Sequence, residues 1–193
     1  MMRNSLYLIL AAAIAFCLEL GAGVSSVPRT EALAVVTRFC REVEIHGGFS
    51  YWEFEGANRQ RMKPLLSKRL LARLDNTHAC VRDWARHQPL NSTDKPPGVD
   101  CCIFSASADW LPNSFAIQAS RRLPDGRRRV TVEYRHDSSR EHETSHIAVY
   151  VTSEGGRYVV DDFEGGLDDP QSDRWFVADD DPNCKEGKWV GMH

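Results

Sequence analysis

Beyond its first two dozen residues the chain has no apolar run long enough to cross a bilayer, which takes ~20 consecutive residues. It has no G-x-S-x-G, no P-loop and no G-x-G-x-x-G. A hydrolase elbow, a phosphate cradle and a dinucleotide fingerprint are therefore not written in it. Internal repeats and low-complexity linkers are also missing, so it is neither a solenoid nor a string of modules. The acidic stretches "DDPQSDRW" and "ADDDP" lack the alternate oxygen spacing, glycine turn and closing glutamate of a calcium loop. The cysteines fit no four-cysteine zinc knuckle,. Basic residues are scattered and the sequence pI is 6.2, which argues against nucleic acid as a partner.

What is present begins with a secretory pattern. Arg3 precedes the apolar "LYLILAAAIAFCLELGAGV", and Val24 and Ser26 supply the small residues of a cleavage site,. Glu19 breaks the apolar run, which disfavours a membrane anchor. Cys17 ends a lipoprotein-box-like "IAFC", but Phe16 stands where a small residue is wanted, so lipid anchoring is disfavoured. The expected division is a signal peptide over 1–26, one α+β domain over 27–166 and an acidic, irregular tail over 167–193. The expected location is secreted, in a periplasm. There Cys40, Cys80, Cys101, Cys102 and Cys184 are disulfide candidates, with one thiol left over and the pairing open.

Charge is split. Residues 27–160 carry 20 Lys/Arg and 16 Asp/Glu, whereas 161–193 carry 3 and 10. A mildly basic body ends in an acidic tail, which points to an interaction surface or to a tail folded onto the body.

Helical signals come first. Thr30 is the expected cap of "EALAVVTRFCREVEIH", with Leu33, Val36, Cys40 and Val43 on one face and Gly47-Gly48 as the stop,. "FSYWEFEGANRQRM" reads as an aromatic loop or turn. "KPLLSKRLLARLDNTHACVRDWARHQ" reads as a second helical region with Pro64 in its first turn,. Its inward residues are Leu66, Leu70, Leu74, Val81 and Trp84. The period then changes to two. "SFAIQASRRL" and "RRVTVEYRH" flank a "PDGR" turn, and "HIAVYVTSE" and "RYVVDDF" flank "GG",. Helices followed by antiparallel strands predict an α+β fold, with N-terminal helices packed on a curved sheet.

"HETSH" at 142–146 is an H-E-x-x-H motif, which on a helix holds zinc through two histidines. The flanks are wrong for that: polar "RHDSSRE" precedes it and alternating "IAVYVT" follows. On a strand, His142 and His146 lie ~13 Å apart, too far to share one zinc. The expected reading is a solvated hairpin, with His142 and His146 as metal candidates that carry no cofactor.

Other candidates are Asp109, a possible pocket carboxylate beside Trp110, with His46, His78 and Asp161 as further acid–base groups. Tyr51, Trp52, Trp84, Phe104, Trp110 and Tyr134 are pocket-lining candidates, against the plainer reading that most are core. In Asp161-Asp162, alternation predicts one carboxylate facing in and one facing out.

In order, "EALAVVTRFCREV", "FSYWEFEG", "LLSKRLLARLD", "DKPPGVDCCIFSASADW", the two hairpins and the closing "GGRYVVDDFEGG" resemble uncharacterised secreted bacterial proteins. These belong to the nuclear transport factor 2-like, or cystatin-like cone, superfamily. The resemblance runs from about Thr30 to Gly166. His146 departs from it, standing where relatives often have Asp, and the tail bearing Cys184 is not a general feature. The resemblance implies a cone-shaped pocket and no assigned activity. The expected function is cofactor-free, non-catalytic binding of a small ligand or an envelope protein, immunity- or inhibitor-like, through the cone mouth or the sheet face. That sheet face could also serve a homodimer. The alternative is a cofactor-free hydrolase or isomerase using Asp109 with His46 or another histidine, and the remote alternative is a zinc metallopeptidase through "HETSH".

Overall fold

The first helix follows from where its first carbonyl lies. Ala32 N–H donates to Pro28 O at 3.1 Å, so helix α1 (Arg29–His46) starts before Thr30, the expected cap. The structure, a computed structural model, describes residues 27–46, 53–88, 104, 112–137, 142–165, 175–176 and 184–191. The apolar stripe of α1 is buried through Ala32, Val35, Val36, Phe39, Cys40 and Val43.

The second helical region divides where sequence alone reads it as continuous. A short helix α2 (Gly56–Met62) occupies part of the expected loop. Pro64 lies in the turn after it, not in a helix. Residues 65–67 are captured by the sheet: Val160 N–H donates to Leu65 O, and Ser67 N–H to Val160 O, both at 2.8 Å. Helix α3 (Lys68–His87) then starts afresh, its N-cap Ser67 accepting from Leu70 N–H. Such a cap stabilises a helix by about 1 kcal/mol. Leu66, Leu70, Leu74, Val81 and Trp84 are buried as expected.

Four long antiparallel strands follow: β1 (Ser114–Arg122), β2 (Arg128–Asp137), β3 (His142–Glu154) and β4 (Arg157–Gly165). They pair in sequence order, and a two-residue β5 (Trp175–Phe176) joins the outer edge of β4. The fold is thus mixed α+β. One sheet face carries Phe115, Ile117, Val130, Val132, Tyr134, Ile147, Val149, Val151, Val160 and Phe163 toward α1. Phe39, Phe104 and Phe163 meet inside, with centroids 5.0 to 6.3 Å apart; Phe104 stands edge-to-face to the other two, which are tilted to each other.

The stretch after 167 was expected to be irregular, yet it contains β5 and a hairpin of β6 (Cys184–Lys185) and β7 (Lys188–Trp189). Glu186 and Gly187 both have positive φ, as a tight two-residue hairpin turn requires. A disulfide between Cys80 and Cys184 ties this hairpin to α3. Trp189 N–H donates to Asp83 Oδ2 at 3.0 Å.

Candidate functional site

The densest polar constellation lies around β4. The β3–β4 register slips between Tyr150 and Val151: Tyr150 faces Asp162, Val151 faces Val160, and Asp161 is the extra residue. A bulge re-aims side chains, which corrects the expected alternation of Asp161 and Asp162. Both carboxylates turn to Arg69, whose Nη2 is 2.9 Å from Asp161 Oδ2 and 3.6 Å from Asp162 Oδ2. Ser67 Oγ donates to Asp161 Oδ1 at 2.8 Å. Arg127 approaches Asp161 at 3.4 Å, and its guanidinium lies over the Tyr150 ring. Burial opposes the Asp161 charge. Hydrogen bonds from Arg69 and Ser67, with the Arg69 and Arg127 charges, outweigh burial and hold its pKa below the ordinary 3.8.

Glu164, only 2% exposed, accepts from Tyr150 Oη at 2.6 Å and from Arg129 Nε and Nη2 at 3.3 Å. Burial, then the bond to Glu164, raises the Tyr150 pKa. This cluster can hold charge in fixed positions. Its carboxylates are already engaged by guanidinium groups.

The interior offers much less polarity. Among the fully buried side chains on the packed faces of α1 and the sheet, Cys40 and Tyr134 carry the polar groups, and Tyr158 packs partly buried against the same core. Burial pushes the Cys40 thiol up to about 12, and burial followed by Cys40 raises Tyr134. The Tyr134 hydroxyl lies beside the thiol, but no hydrogen-bond partner of good geometry satisfies it among the described residues. A thiol so held is not a nucleophile.

The other candidates disperse. Tyr134 and Phe104 are fully buried, and Trp84 is nearly so on α3. Tyr51, Trp52, Asp109, Trp110, Cys101, Cys102 and Cys17 lie outside the described residues. His46 is the last residue of α1. His78 Nε2 sits 3.4 Å from Glu55 on the helical side, away from the β4 cluster. Cys40 is a buried free thiol, not a disulfide partner. It points into the core from α1, whereas buried Cys80 on α3 is bridged to Cys184.

"HETSH" opens β3. His142 Nδ1 lies 2.8 Å from Asp137 Oδ1, and His146 Nε2 lies 3.5 Å from Glu133 Oε2. Each histidine therefore faces its own cross-strand carboxylate, and the helical spacing a zinc peptidase needs is not formed at these residues. Among the described residues, no group of three His, Cys, Asp or Glu could hold a metal ion.

Sequence reasoning passed over Ser67, Arg69, Arg127, Arg129, Tyr150 and Glu164. The available signal was "RRR" at 127–129 and "DDFE" at 161–164, complementary charge blocks on strands of one sheet. No family model, curated protein or solved structure matches this chain. No helix among the described residues is long and apolar enough to cross a membrane. The Cys80–Cys184 bridge is compatible with an oxidising compartment,.

Proposed function

We propose that this chain is a secreted, non-catalytic binding protein. It acts through the surface of its sheet, on a cone of the nuclear transport factor 2-like kind. One observation carries the reading. The space between α1 and the sheet is packed with Phe39, Phe104, Phe163, Val132 and Ile147, while charged groups are ordered on the opposite sheet face. Catalysis inside a cone needs a titratable pair in the cavity. The fully buried part of the described interior supplies a thiol raised by burial and a phenol. The carboxylates of that face are buried, but the side chains of Arg69 and Arg127 keep 51% and 31% exposure, and such fixed positive charge suits recognition of another protein.

Native mass spectrometry of the chain, isolated from an oxidising compartment, tests this. The expected result is a retained partner or ligand whose mass stays unchanged on incubation. A retained mass that converts to product, with conversion abolished by Asp109→Asn, would establish the hydrolase or isomerase alternative instead.

A further inference from the structure

The β1–β2 hairpin carries five arginines within residues 121–129. The register sets Arg121 opposite Arg129 and Arg122 opposite Arg128. Like charges directly opposite each other destabilise a sheet, so each needs compensation. The β2 members have it. Arg129 reaches Glu164, and Arg128 donates to Val27 O at 3.1 Å and to Ser120 Oγ. The β1 members do not: Arg121 and Arg122 are exposed and make no ion pair or hydrogen bond among the described residues.

Their strand also lies at the edge of the described sheet. β1 is the outermost strand, with no described strand on its far edge. Gln118, Ala119, Arg121 and Arg122 are exposed along it. A free edge offers unpaired backbone donors and acceptors. Arg121 lies on the sheet face of Arg129 and Glu164, and Arg122 on the helix side with Arg128 and Val27. The two charges therefore straddle the edge.

We infer that the Gln118–Arg122 edge of β1 receives an extended acidic segment of a protein partner as an added strand, a proposal that rests on the binding function above. Side chains of an added strand alternate between faces. Two adjacent acidic residues then meet Arg121 on one face and Arg122 on the other. A flat anionic membrane would engage charges that share one plane. The large hydrophobic side chains exposed among the described residues, Ile45 and Val190, are on other elements and cannot assist insertion there. Joining this end to the same end of a second copy would bring four arginines together. The arginines thus blunt self-pairing and select an acidic strand.

The test is an amide-shift NMR titration of the full mature chain. The probe is a roughly ten-residue Val/Thr peptide with a central Asp-Glu pair. Shifts should run along 118–122, and Arg121→Glu/Arg122→Glu should weaken binding by about tenfold or more. Arg86→Glu, an exposed change on α3, should leave binding unchanged. Alternate N-methylation of the peptide should abolish binding. Binding that survives methylation would reduce the contact to bare electrostatics and overturn the added strand. No binding up to millimolar peptide would overturn it too. So would arginine-dependent binding to phosphatidylcholine vesicles containing about a quarter phosphatidylglycerol without peptide binding, or arginine-dependent self-association. A failed titration alongside a retained, unconverted partner in the mass spectrum would reject this edge alone and leave the binding function standing.

Discussion

The Tyr150 hydroxyl donates to Glu164 Oε2 at 2.6 Å, and the same oxygen receives Arg129 at 3.3 Å. A carboxylate at 2% exposure is thereby neutralised by one guanidinium and anchored by one phenol. Removing one partner of a buried pair leaves the other charge uncompensated. Glu164→Ala should cost about 3 kcal/mol, the low end of the usual range, because the Arg129 side chain keeps 15% exposure. Tyr150→Phe should cost about 1.5 kcal/mol, for one hydrogen bond to a charged group. Urea midpoints with unchanged slopes would measure both. Equal, near-zero losses would show that the cluster is solvated and does not order the sheet.

Asp161 gives an acid limb. Its folded pKa lies below 3.8, so its contribution is complete above the unfolded value. That contribution declines as pH falls through the folded one. The stability gap between wild type and Asp161→Asn should therefore be constant near neutrality and close below pH 3.8. A gap that persists undiminished at lower pH would mean that Ser67 and Arg69 contact the backbone, not the carboxylate charge.

Cys40 gives the opposite limb. Its thiol moves from 9.0 to about 12 on folding. A raised pKa contributes stability that is intact below the unfolded value and is lost as pH climbs toward the folded one. Between these values the unfolded chain sheds a proton that the folded chain keeps, at a slope of at most about 1.4 kcal/mol per pH unit. Cys40→Ala should flatten the first part of the alkaline decline, and the raised Tyr134 and Tyr150 should leave a later one. Thermal melts across that window, compared between the two proteins, decide it.

These limbs show which parts of the molecule a sequence can express. The burial of Val36, Cys40 and Val43 and the alternation of Val130, Val132 and Tyr134 were readable because burial repeats at the period of the backbone, whereas Leu33 is only partly buried and Ala32, Val35 and Phe39 complete the stripe. The bulge at Asp161 was not. It depends on register against β3, and one extra residue turns a carboxylate that alternation would send elsewhere. The break before α3 was equally hidden. Pro64 suits a helix start, but residues 65–67 gain two backbone bonds from β4, which local pattern cannot foresee. The Cys80–Cys184 pairing joins residues 104 apart in sequence, a contact that only the fold brings together.

That span makes the disulfide consequential. Closing a loop of about 100 residues removes unfolded-chain entropy worth up to ~4.7 kcal/mol, and losses on removal of a native bridge run about 2–5 kcal/mol. Cys80→Ser/Cys184→Ser should lower stability by about 3 kcal/mol. It should also free the β6–β7 hairpin from α3 while the main sheet persists. Hydrogen exchange should show the change first at Trp189, whose N–H is held by Asp83. Uniform loss of protection across β2 and β3 would instead make the bridge a condition of the whole fold.

The H-E-x-x-H motif makes the last prediction. Zinc bound by such a pair needs both imidazoles at ~2.1 Å from one ion, and residues four apart on a strand are separated by ~13 Å. In β3 the two rings also have separate engagements, His142 with Asp137 and His146 with Glu133. Zinc titration monitored by calorimetry should show no tight stoichiometric site that disappears equally in His142→Ala and in His146→Ala. Any weak uptake should respond to each substitution independently, because each histidine works with its own cross-strand carboxylate. A single tight site lost in both variants would require residues 142–146 to leave the sheet and coil, at the cost of the β2–β3 pairs from Glu133 to Asp137.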